Sequence, residues 1–453
     1  MMSTLTIAIV ALFVFGYLLI ALESFVKIDK AAIALLMFVL CWTLFMVSPE
    51  SYIGGSGEDL LARVSGIIEH HLGSTSTTLF FLMGAMTIVE IVDQNGGFNW
   101  VRDVMKTRGQ RKLLWRIALL TFVLSAILDN LTTSIVMVMI LRKLVPDRDH
   151  RILYASMVII AANAGGAFSP IGDVTTIMLW NKGVITALGV ISEILIPSIV
   201  AMAVPALIMQ HKLKGKLKVS EDFKEENSDH DTPFTRRQRQ IIFFLGVGGL
   251  MFVPVFKALT GLPPFVGILL VLGVLWTVTE AFYRHLTEAS ERIDTSKRVG
   301  DLLSRIDMPT ILFFLGILMA VACLEQIGVL TALGEGLNTV FQGNHYLVTG
   351  VIGVLSSIVD NVPLVAGCMG MYPVEAAGDM AVDGIFWQLL AYCAGVGGSM
   401  LIIGSAAGVV VMGSEKISFG WYLRHITWIA FVGYLAGIFS YWVLRSFVFT
   451  VPL

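Results

Sequence analysis

Two short phrases of the chain place an aspartate beside an asparagine inside long apolar sequence. They cover residues 125–130 (SAILDN) and 356–361 (SSIVDN), and they contain Asp129 and Asp360. A carboxylate in such surroundings is costly unless a helix bundle or a wet cavity receives it, so an acid within a membrane indicates a functional site. We interpret both aspartates as ligands for an ion or a proton; a pair of hydrogen-bonded structural residues is the simpler alternative.

The composition predicts a polytopic membrane protein. Of the 453 residues, 56% are hydrophobic and only 14% are charged, and several apolar runs approach the roughly 20 residues of a spanning helix. A net charge of -2, without a basic cluster that contains aromatic residues, gives no indication of a nucleic-acid partner. The cysteines lack CxxC spacing and are interpreted as buried core residues rather than metal ligands. They are Cys41, Cys323, Cys368 and Cys393.

Hydropathy predicts ten membrane spans in two groups of five. The fourth span of each group is interrupted by glycines, so we expect two broken helices. The first group lies at residues 4–22, 31–47, 77–92, 152–180 and 185–209, and the second at 241–257, 262–282, 310–326, 386–412 and 425–447.

The two Asp-Asn phrases lie on shorter apolar segments, residues 113–141 and 347–371, which we predict to be re-entrant hairpins. Basic residues flank the first segment on both sides, so a full crossing would place one basic loop outside, against the positive-inside tendency. Residues 330–346 and 371–385, around the second segment, contain acids but no Lys or Arg. The first hairpin is therefore expected to enter from the cytoplasm and the second from outside. The basic flanks are Arg102, Lys106, Arg108, Arg111, Lys112 and Arg116 before the first segment and Arg142, Lys143, Arg148 and Arg151 after it.

A nearly constant sequence offset relates the two groups of spans. Because each group contains five spans, the two units must face opposite ways in the membrane. We predict a first inverted repeat at residues 1–210, a cytoplasmic linker at 211–239 and a second inverted repeat at 240–453. The residues that recur 231 or 232 positions later are Gly84, Gln94, Gly96, Asp129, Asn130, Gly165, Gly166 and Gly172, and their counterparts are Gly316, Gln326, Gly328, Asp360, Asn361, Gly397, Gly398 and Gly404.

The interrupted spans contain residues that weaken a helix and leave backbone carbonyls unpaired. Residues 163–176 (NAGGAFSPIGDVTT) include two adjacent glycines and Pro170, and residues 395–405 (GVGGSMLIIGS) form the equivalent stretch. Secondary transporters place their binding sites at such interruptions near the membrane midplane. Glycines in membrane helices also serve close packing, and that interpretation stays open.

If the hairpin tips and the interruptions converge, they form a site of oxygen ligands. Such oxygens suit a hard cation such as Na⁺ or Li⁺, and no Lys or Arg is expected nearby to bind an anion. Protons and metal ions would compete for the carboxylates, which is the chemistry of an exchanger. No cofactor is predicted. The site residues are the acids Asp129, Asp173 and Asp360, the amides Asn130, Asn163 and Asn361, and the hydroxyls Ser125, Ser169, Thr175, Ser356, Ser399 and Ser405.

The phrases around Asp129-Asn130, Asp360-Asn361 and Gly172-Asp173 resemble those of the NhaD-type Na⁺/H⁺ antiporters of the ion transporter superfamily. Residues 80–86 (FFLMGAM) and 313–319 (FFLGILM) show the same resemblance. The resemblance covers nearly the whole chain. It implies a homodimer in the cell (inner) membrane, with a scaffold domain and a transport domain that moves like an elevator. It also implies that cytoplasmic Na⁺ or Li⁺ is exchanged for external H⁺ by alternating access, with the lipid bilayer as the surrounding partner.

Two other functions fit parts of the sequence. Related dicarboxylate carriers have Ser-Asn-Thr phrases at the hairpin tips, whereas this chain has Asp before Asn, which repels an anion; a dicarboxylate or oxyanion carrier is still the first alternative. An intramembrane aspartyl protease that uses Asp129 and Asp360 as a dyad is a remote one. Ser405 stands where a second copy of Asp173 would lie, so the expected site is asymmetric.

Overall fold

Helices account for nearly all regular structure in the part of the chain that the structure describes. A single isolated bridge, between Glu375 and Ala381, is the exception among those residues. The prediction of an all-helical chain is therefore confirmed for them. The computed structural model describes residues 4–21, 27–54, 58–98, 101, 104–105, 107, 109–213, 215, 234–289, 299–358 and 360–448. Most of the predicted linker and the basic residues Arg102, Lys106 and Arg108 lie outside these ranges.

The first half of the chain contains eight main helices. They are α1 (Thr4–Ala21), α2 (Lys30–Phe45), α3 (Glu58–Gln94), α4 (Gln110–Leu128), α5 (Asn130–Leu144), α6 (Arg148–Ala167), α7 (Val174–Lys182) and α8 (Ala187–Met209). Helices α4 and α5 form the first hairpin segment, with the chain break at Asp129. Helices α6 and α7 cover the first interrupted span, and the break lies at residues 168–173.

The second half repeats this order and adds two short helices. They are α9 (Arg236–Thr260), α10 (Pro264–Ala289), α11 (Met308–Gln326), α12 (Val329–Val340), α13 (His345–Ser356), α14 (Asn361–Met371), α15 (Ile385–Gly397), α16 (Ala406–Glu415), α17 (Phe419–His425) and α18 (Thr427–Phe447). Helices α13 and α14 form the second hairpin segment, and α15 and α16 the second interrupted span.

The third span is much longer than hydropathy predicts. Hydropathy places it at residues 77–92, but α3 begins at Glu58 and has 37 residues, which at 1.5 Å per residue is about 55 Å. The added part is rich in His, Glu, Ser and Thr. The prediction of its start is wrong because hydropathy reports which residues suit the hydrocarbon core of the membrane, whereas a helix continues into polar sequence without a stop signal.

Six helices in the described part of the chain are long and apolar enough to cross a membrane by themselves. Helix α2, with 16 residues, is shorter than such a crossing, and α1 and the helices of the two interrupted spans are not among the six. These helices make the chain a membrane protein. The six crossings are Leu60–Gln94, Ala187–Lys212, Arg236–Thr260, Pro264–Arg284, Met308–Gln326 and Thr427–Phe447.

The helices pack as two groups. In one group α2 packs on α11 and on α1, and α10 packs on α3 and on α9. In the other group α4, α5 and α16 pack on α6, while α7, α13 and α14 pack on α15 and α8 packs on α18. The Trp42 indole donates a 2.9 Å hydrogen bond to the carbonyl of Met319 within the first group. The contacts of α14 with α11 and α12, and of α7 with α3, join the two groups. We call the first group the outer group and the second the site group.

Contacts between the two halves of the sequence are reciprocal. Helix α5 packs on α16, and the equivalent pair α14 and α7 also pack together; α2 packs on α11, and its equivalent α10 packs on α3. The same pattern extends to single hydrogen bonds. Ser125 Oγ donates to the carbonyl of Ala162 (2.6 Å), and Ser356 Oγ donates to that of Ala394 (2.8 Å). Equivalent elements of the two halves therefore occupy equivalent surroundings.

Glycines permit the close packing of the interrupted spans on the hairpins. A Cβ at Gly172 would lie 2.8 Å from the carbonyl oxygen of Ser125, and one at Gly404 would lie 2.5 Å from that of Ser357. Real Cβ atoms do not approach backbone oxygens this closely, so packing requires glycine at both positions. The four cysteines are free and buried, which confirms their interpretation as core residues.

Candidate functional site

Each of the four chain breaks ends in an oxygen-bearing side chain that caps the helix after it. Asp129 accepts from the backbone N–H of Thr132 (2.7 Å), Asp173 from that of Thr175 (3.0 Å), Asp360 from that of Val362 (3.3 Å) and Ser405 from that of Gly408 (3.2 Å). Asp and Ser are the residue types that an N-cap position favours. The positive ends of four short helices therefore begin at the residues that the sequence singles out, and they stabilise carboxylates there.

Asp173 lies at the centre of the site. Its Oδ2 accepts a hydrogen bond from Asn130 Nδ2 (2.9 Å), its Oδ1 accepts from Thr175 Oγ1 (3.0 Å), and Asn361 Nδ2 lies 3.4 Å from Oδ2. The residue is 1% exposed. Because Asn130 follows the first hairpin tip and Asn361 follows the second, both hairpins supply a donor to one buried carboxylate.

Asn163 extends this cluster to the second interrupted span. Asn130 Nδ2 also donates to Asn163 Oδ1 (3.1 Å), and Asn163 Nδ2 donates to Ser405 Oγ (2.9 Å). All of these side chains are buried. We define the central cluster as Asn130, Asn163, Asp173, Thr175, Asn361 and Ser405. It contains a member from each hairpin and each interrupted span.

Asp129 lies at the edge of the central cluster in an unusual backbone conformation. Its carboxylate bonds within its own helix turn, accepting from the N–H and the hydroxyl of Thr132 (2.7 and 2.9 Å). Its φ and ψ are 88° and 160°, a region that is essentially restricted to glycine and costs other residues roughly 1–3 kcal/mol. Its charge is close enough to Asp173 for the two to interact electrostatically.

Asp360 lies on the opposite edge and has a cationic neighbour. Its Oδ2 is 3.5 Å from Lys30 Nζ, and its charge also interacts with Asp173. The expectation that no Lys or Arg lies near the site is therefore wrong. Lys30 directly precedes an apolar run, but α2 begins at this residue and its packing brings Lys30 to the hairpin tip. The Asp29 N-cap directly before it was the available sequence signal.

Four of the predicted hydroxyls hold the backbone of the chain breaks and do not bond to Asp173. Besides the bonds of Ser125 and Ser356 described above, Ser169 Oγ donates to the carbonyl of Ala126 (2.5 Å) and Ser399 Oγ to that of Val396 (2.7 Å). Ser169, Ser356 and Ser399 each satisfy a carbonyl in the last turn of a helix, where the helix itself leaves acceptors unpaired. Their role in this structure is to fix the breaks in place.

The three acids do not converge on one point. No group of three acidic, His or Cys side chains in the described ranges is placed to hold one metal ion, and the hydrogen bonds of Asp129 and Asp360 do not link them to each other. The expected ion site with all three carboxylates as ligands therefore does not match the geometry. Asp173 is the one acid that contacts both halves, and amide and hydroxyl oxygens of the central cluster would have to complete a coordination shell around it.

Two cavities lie beside helices of the second hairpin and of the interrupted spans. One of about 80 Å³ is lined by Tyr17 and Lys30 of the outer group and by Asp360, Ser405 and Met412 of the site group. The other, of about 390 Å³, lies between α3 and α11 on one side and α7 and α14 on the other. Its lining includes His70, His71, Asn181, Lys182 and Glu325. Both cavities lie between the outer group and the site group.

A helical membrane protein with two hairpin segments, two interrupted helices and a buried carboxylate between them has the architecture of a secondary transporter. Comparison with known proteins agrees. Residues 10–390 match the CitMHS family model, described as citrate transporter. The solved structure of the YdaH transporter of Alcanivorax borkumensis is similar in fold, with a TM-score of 0.57 and 12% identity over 91% of this chain and 98% of that one.

Sequence comparison defines the family more closely. The chain is 45% identical to sodium/proton antiporter 1 of Arabidopsis thaliana, over 98% of this chain and 74% of the relative. It is 30% identical to the Na⁺/H⁺ antiporter NhaD of Vibrio cholerae, over 99% of this chain and 94% of the relative. The chain belongs to the NhaD-type transporters within the citrate transporter family. It is thus a transporter and not an intramembrane protease.

Proposed function

We propose that the protein is a secondary antiporter that exchanges cytoplasmic Na⁺, or Li⁺, for external H⁺ at the buried carboxylate of Asp173 and its neighbours. The observation that carries this proposal is the position of Asp173, which is buried and receives donors from both hairpins. The names of the relatives in Arabidopsis thaliana and Vibrio cholerae support Na⁺ and H⁺ as the substrates.

Electrostatics explains why such a site would exchange one cation for another. Asp173 interacts with the charges of both Asp129 and Asp360, and several carboxylates in a low-dielectric interior disfavour being ionised together. Either a proton or a metal ion relieves this repulsion, and the two compete for the same oxygens. A site loaded with either cation can change its orientation in the membrane, whereas a site left charged is held back by the cost of desolvation.

The amides of the central cluster could serve either cation. Asn130 and Asn361 present their NH₂ groups to Asp173, and these donors stabilise an ionised carboxylate without a metal ion. A half-turn of either amide would present its oxygen instead, which is a ligand for Na⁺. The cluster therefore contains groups that favour the carboxylate in each stage of an exchange cycle.

A carboxylate carrier is the second candidate, because the matching family model is described as citrate transporter. The helix N-termini at the four breaks are positive ends that could bind an anion. In this chain, however, the side chains of Asp129, Asp173 and Asp360 occupy three of those four N-termini. An anionic substrate would have to approach three fixed carboxylates, so we favour a cation.

We further propose that the chain folds as two inverted repeats and works by alternating access. The reciprocal contacts of α5 with α16 and of α14 with α7 support the repeats. The outer group would form the scaffold and dimer interface, and the site group the transport domain that moves like an elevator. The cavities of about 80 and 390 Å³ lie between these groups and could provide access from the two sides of a cell (inner) membrane.

An assay in everted vesicles with an imposed pH gradient tests the proposal. Addition of Na⁺ or Li⁺ should collapse the gradient, whereas K⁺ should have little effect. Asn substitutions at Asp129 or Asp360 should each abolish the response. If none of the three cations changes the pH gradient and the vesicles accumulate labelled citrate or succinate, the result would contradict Na⁺/H⁺ exchange and support the carboxylate carrier.

A further inference from the structure

The ion pair of Lys30 and Asp360 joins the two helix groups beside the candidate ion site. Lys30 is the first residue of α2 in the outer group, and Asp360 caps α14 in the site group. Their side chains are 26% and 19% exposed, so water screens the pair only in part. Lys30 Nζ also lies 4.4 Å from the centre of the Phe313 ring of α11.

The position of Lys30 in its helix indicates that these contacts hold it. A lysine in the first turn of a helix faces the positive end of the helix dipole and is disfavoured there. The Asp360 carboxylate and the face of Phe313 both attract an ammonium group and offset this cost. The ammonium therefore occupies one side of the Asp360 carboxylate, and a cation that bound to the carboxylate on that side would have to displace it.

A further polar side chain, Tyr17, lines the small cavity next to the ion pair. The hydroxyl oxygen of Tyr17 is buried and has no hydrogen-bond partner among the described residues, and Tyr17 lines the same cavity as Lys30, Asp360 and Ser405. At about 80 Å³ the cavity has room for roughly two or three water molecules. Since Ser405 belongs to the central cluster, this cavity connects Lys30 with the candidate ion site.

On the basis of the proposed exchange function, we propose that Lys30 is a tethered cation that competes with Na⁺ for Asp360. When no ion occupies the site, the Lys30 ammonium pairs with Asp360 and fastens the site group to the outer group. When Na⁺ binds, it displaces the ammonium and breaks this link between the groups. Lys30 is thus a positioning residue that lowers the apparent affinity for Na⁺ and couples ion binding to movement.

The test compares a charge-removing substitution with a charge-conserving one in the full-length transporter. In proteoliposomes, Lys30→Met should lower the Na⁺ concentration for half-maximal exchange about fivefold. A partly exposed ion pair changes an equilibrium constant by up to about this factor. Lys30→Arg should behave as the wild type. Lys27→Met removes a charge from the same region, where the side chain is exposed, and should also leave the Na⁺ dependence unchanged.

The outcomes separate this inference from the proposed function. An unchanged or higher half-maximal Na⁺ concentration in Lys30→Met, with wild-type exchange intact, would overturn the tethered-cation role alone. If Lys30→Met no longer exchanges, binding of labelled Na⁺ to the purified protein decides: tighter binding than wild type supports the role, and equal or weaker binding overturns it. Absence of Na⁺-dependent exchange in the wild type, or full exchange in Asp360→Asn, would instead contradict the proposed function or its assignment of Asp360.

Discussion

The two hairpin tips carry the same Asp-Asn pair but hold it differently. At the first tip one residue, Asp129, separates two helices, and it has a strained backbone with its carboxylate turned into its own helix. At the second tip Asp360 has an ordinary φ of -48° and pairs with Lys30. The two Asn residues nevertheless reach the same oxygen of Asp173. The halves of the protein are therefore equivalent in packing and unequal in charge.

This contrast continues in the interrupted spans. Asp173 and Ser405 are equivalent N-caps, yet only Asp173 is ionisable. In the proposed exchange site, a further buried acid at the Ser405 position would add to the repulsion among Asp129, Asp173 and Asp360. The two halves therefore share their packing and differ in the ionisable groups that they bring to the central cluster.

The largest effects are expected from neutralising the acids of the site, and Asp173→Asn is the central case. This change removes the charge at the centre of the cluster and leaves its size nearly unchanged, so exchange should fall about 100-fold or more, which corresponds to losing roughly 2.7 kcal/mol of stabilisation. The Na⁺-dependent collapse of a pH gradient in vesicles measures it. Ser399→Ala, in the second interrupted span, is the matched control because its hydroxyl bonds only to a backbone carbonyl. Substantial exchange by Asp173→Asn would remove Asp173 from the centre of the mechanism.

Glycine substitutions at the two tips should separate strain from function. Asp129→Gly relieves an unfavourable backbone conformation of roughly 1–3 kcal/mol and loses a cap that glycine replaces at a cost of a few tenths. We expect this variant to be as stable as the wild type or about 1 kcal/mol more stable, and to be inactive. Asp360→Gly has no strain to relieve and should be about 1 kcal/mol less stable.

Thermal unfolding in detergent and the vesicle assay together measure both properties of these variants. Equal destabilisation of the two variants would show that the backbone at Asp129 is not strained. An active Asp129→Gly protein would show that its carboxylate has no part in exchange.

Many residues of the central cluster could be selected from the sequence because they lie in short, repeated phrases. Burying an acid or an amide in an apolar run costs free energy, so the residue types alone mark Asp173, Asn130 and Asn361 as candidates in the sequence. Lys30 could not be identified in this way, because its partner Asp360 is 330 positions away and a lysine before an apolar run is common in loops. The strain at Asp129 is likewise a property of the tertiary fold and has no sequence signal.

Another contact was missed for the same reason. Glu415 at the end of α16 is buried and accepts from Arg142 Nε (2.8 Å) and Arg151 Nε (2.7 Å), which ties the second interrupted span to the first hairpin and to α6. The sequence shows these arginines as basic flanks that indicate the cytoplasmic side. Their pairing with Glu415 depends on packing between the halves, which hydropathy and charge patterns do not report.

If the halves are equivalent in packing, the glycines at equivalent positions should be equally intolerant of a side chain. A Cβ at Gly165 would collide with the carbonyl of Phe122, and one at Gly397 with the carbonyl of Gly353. Ala at either position should lower the stability by roughly 1–3 kcal/mol. Gly413→Ala in α16 is the control, because nothing lies within 4 Å of its Cβ position and Ala favours a helix by up to about 1 kcal/mol. Thermal unfolding measures the loss of stability in each variant. If the losses in Gly165→Ala and Gly397→Ala differ by more than the width of the roughly 1–3 kcal/mol range, the packing of the two halves is not equivalent.

The smallest effect is expected from Ser405→Ala, which tests how much the uncharged half contributes to the site. The change removes the N-cap of α16, at a cost of about 1 kcal/mol, and removes the acceptor of the Asn163 amide, which is the link from the central cluster to the second interrupted span. Since Asp173 and its donors stay in place, exchange should persist, with the Na⁺ concentration for half-maximal exchange raised a few-fold because the orientation of Asn163 is less restricted. A Na⁺ titration of exchange, with Ser399→Ala as the control, measures this. Loss of exchange as complete as in Asp173→Asn would mean that Ser405 is a ligand of equal weight and that the site is more symmetric than its charges indicate.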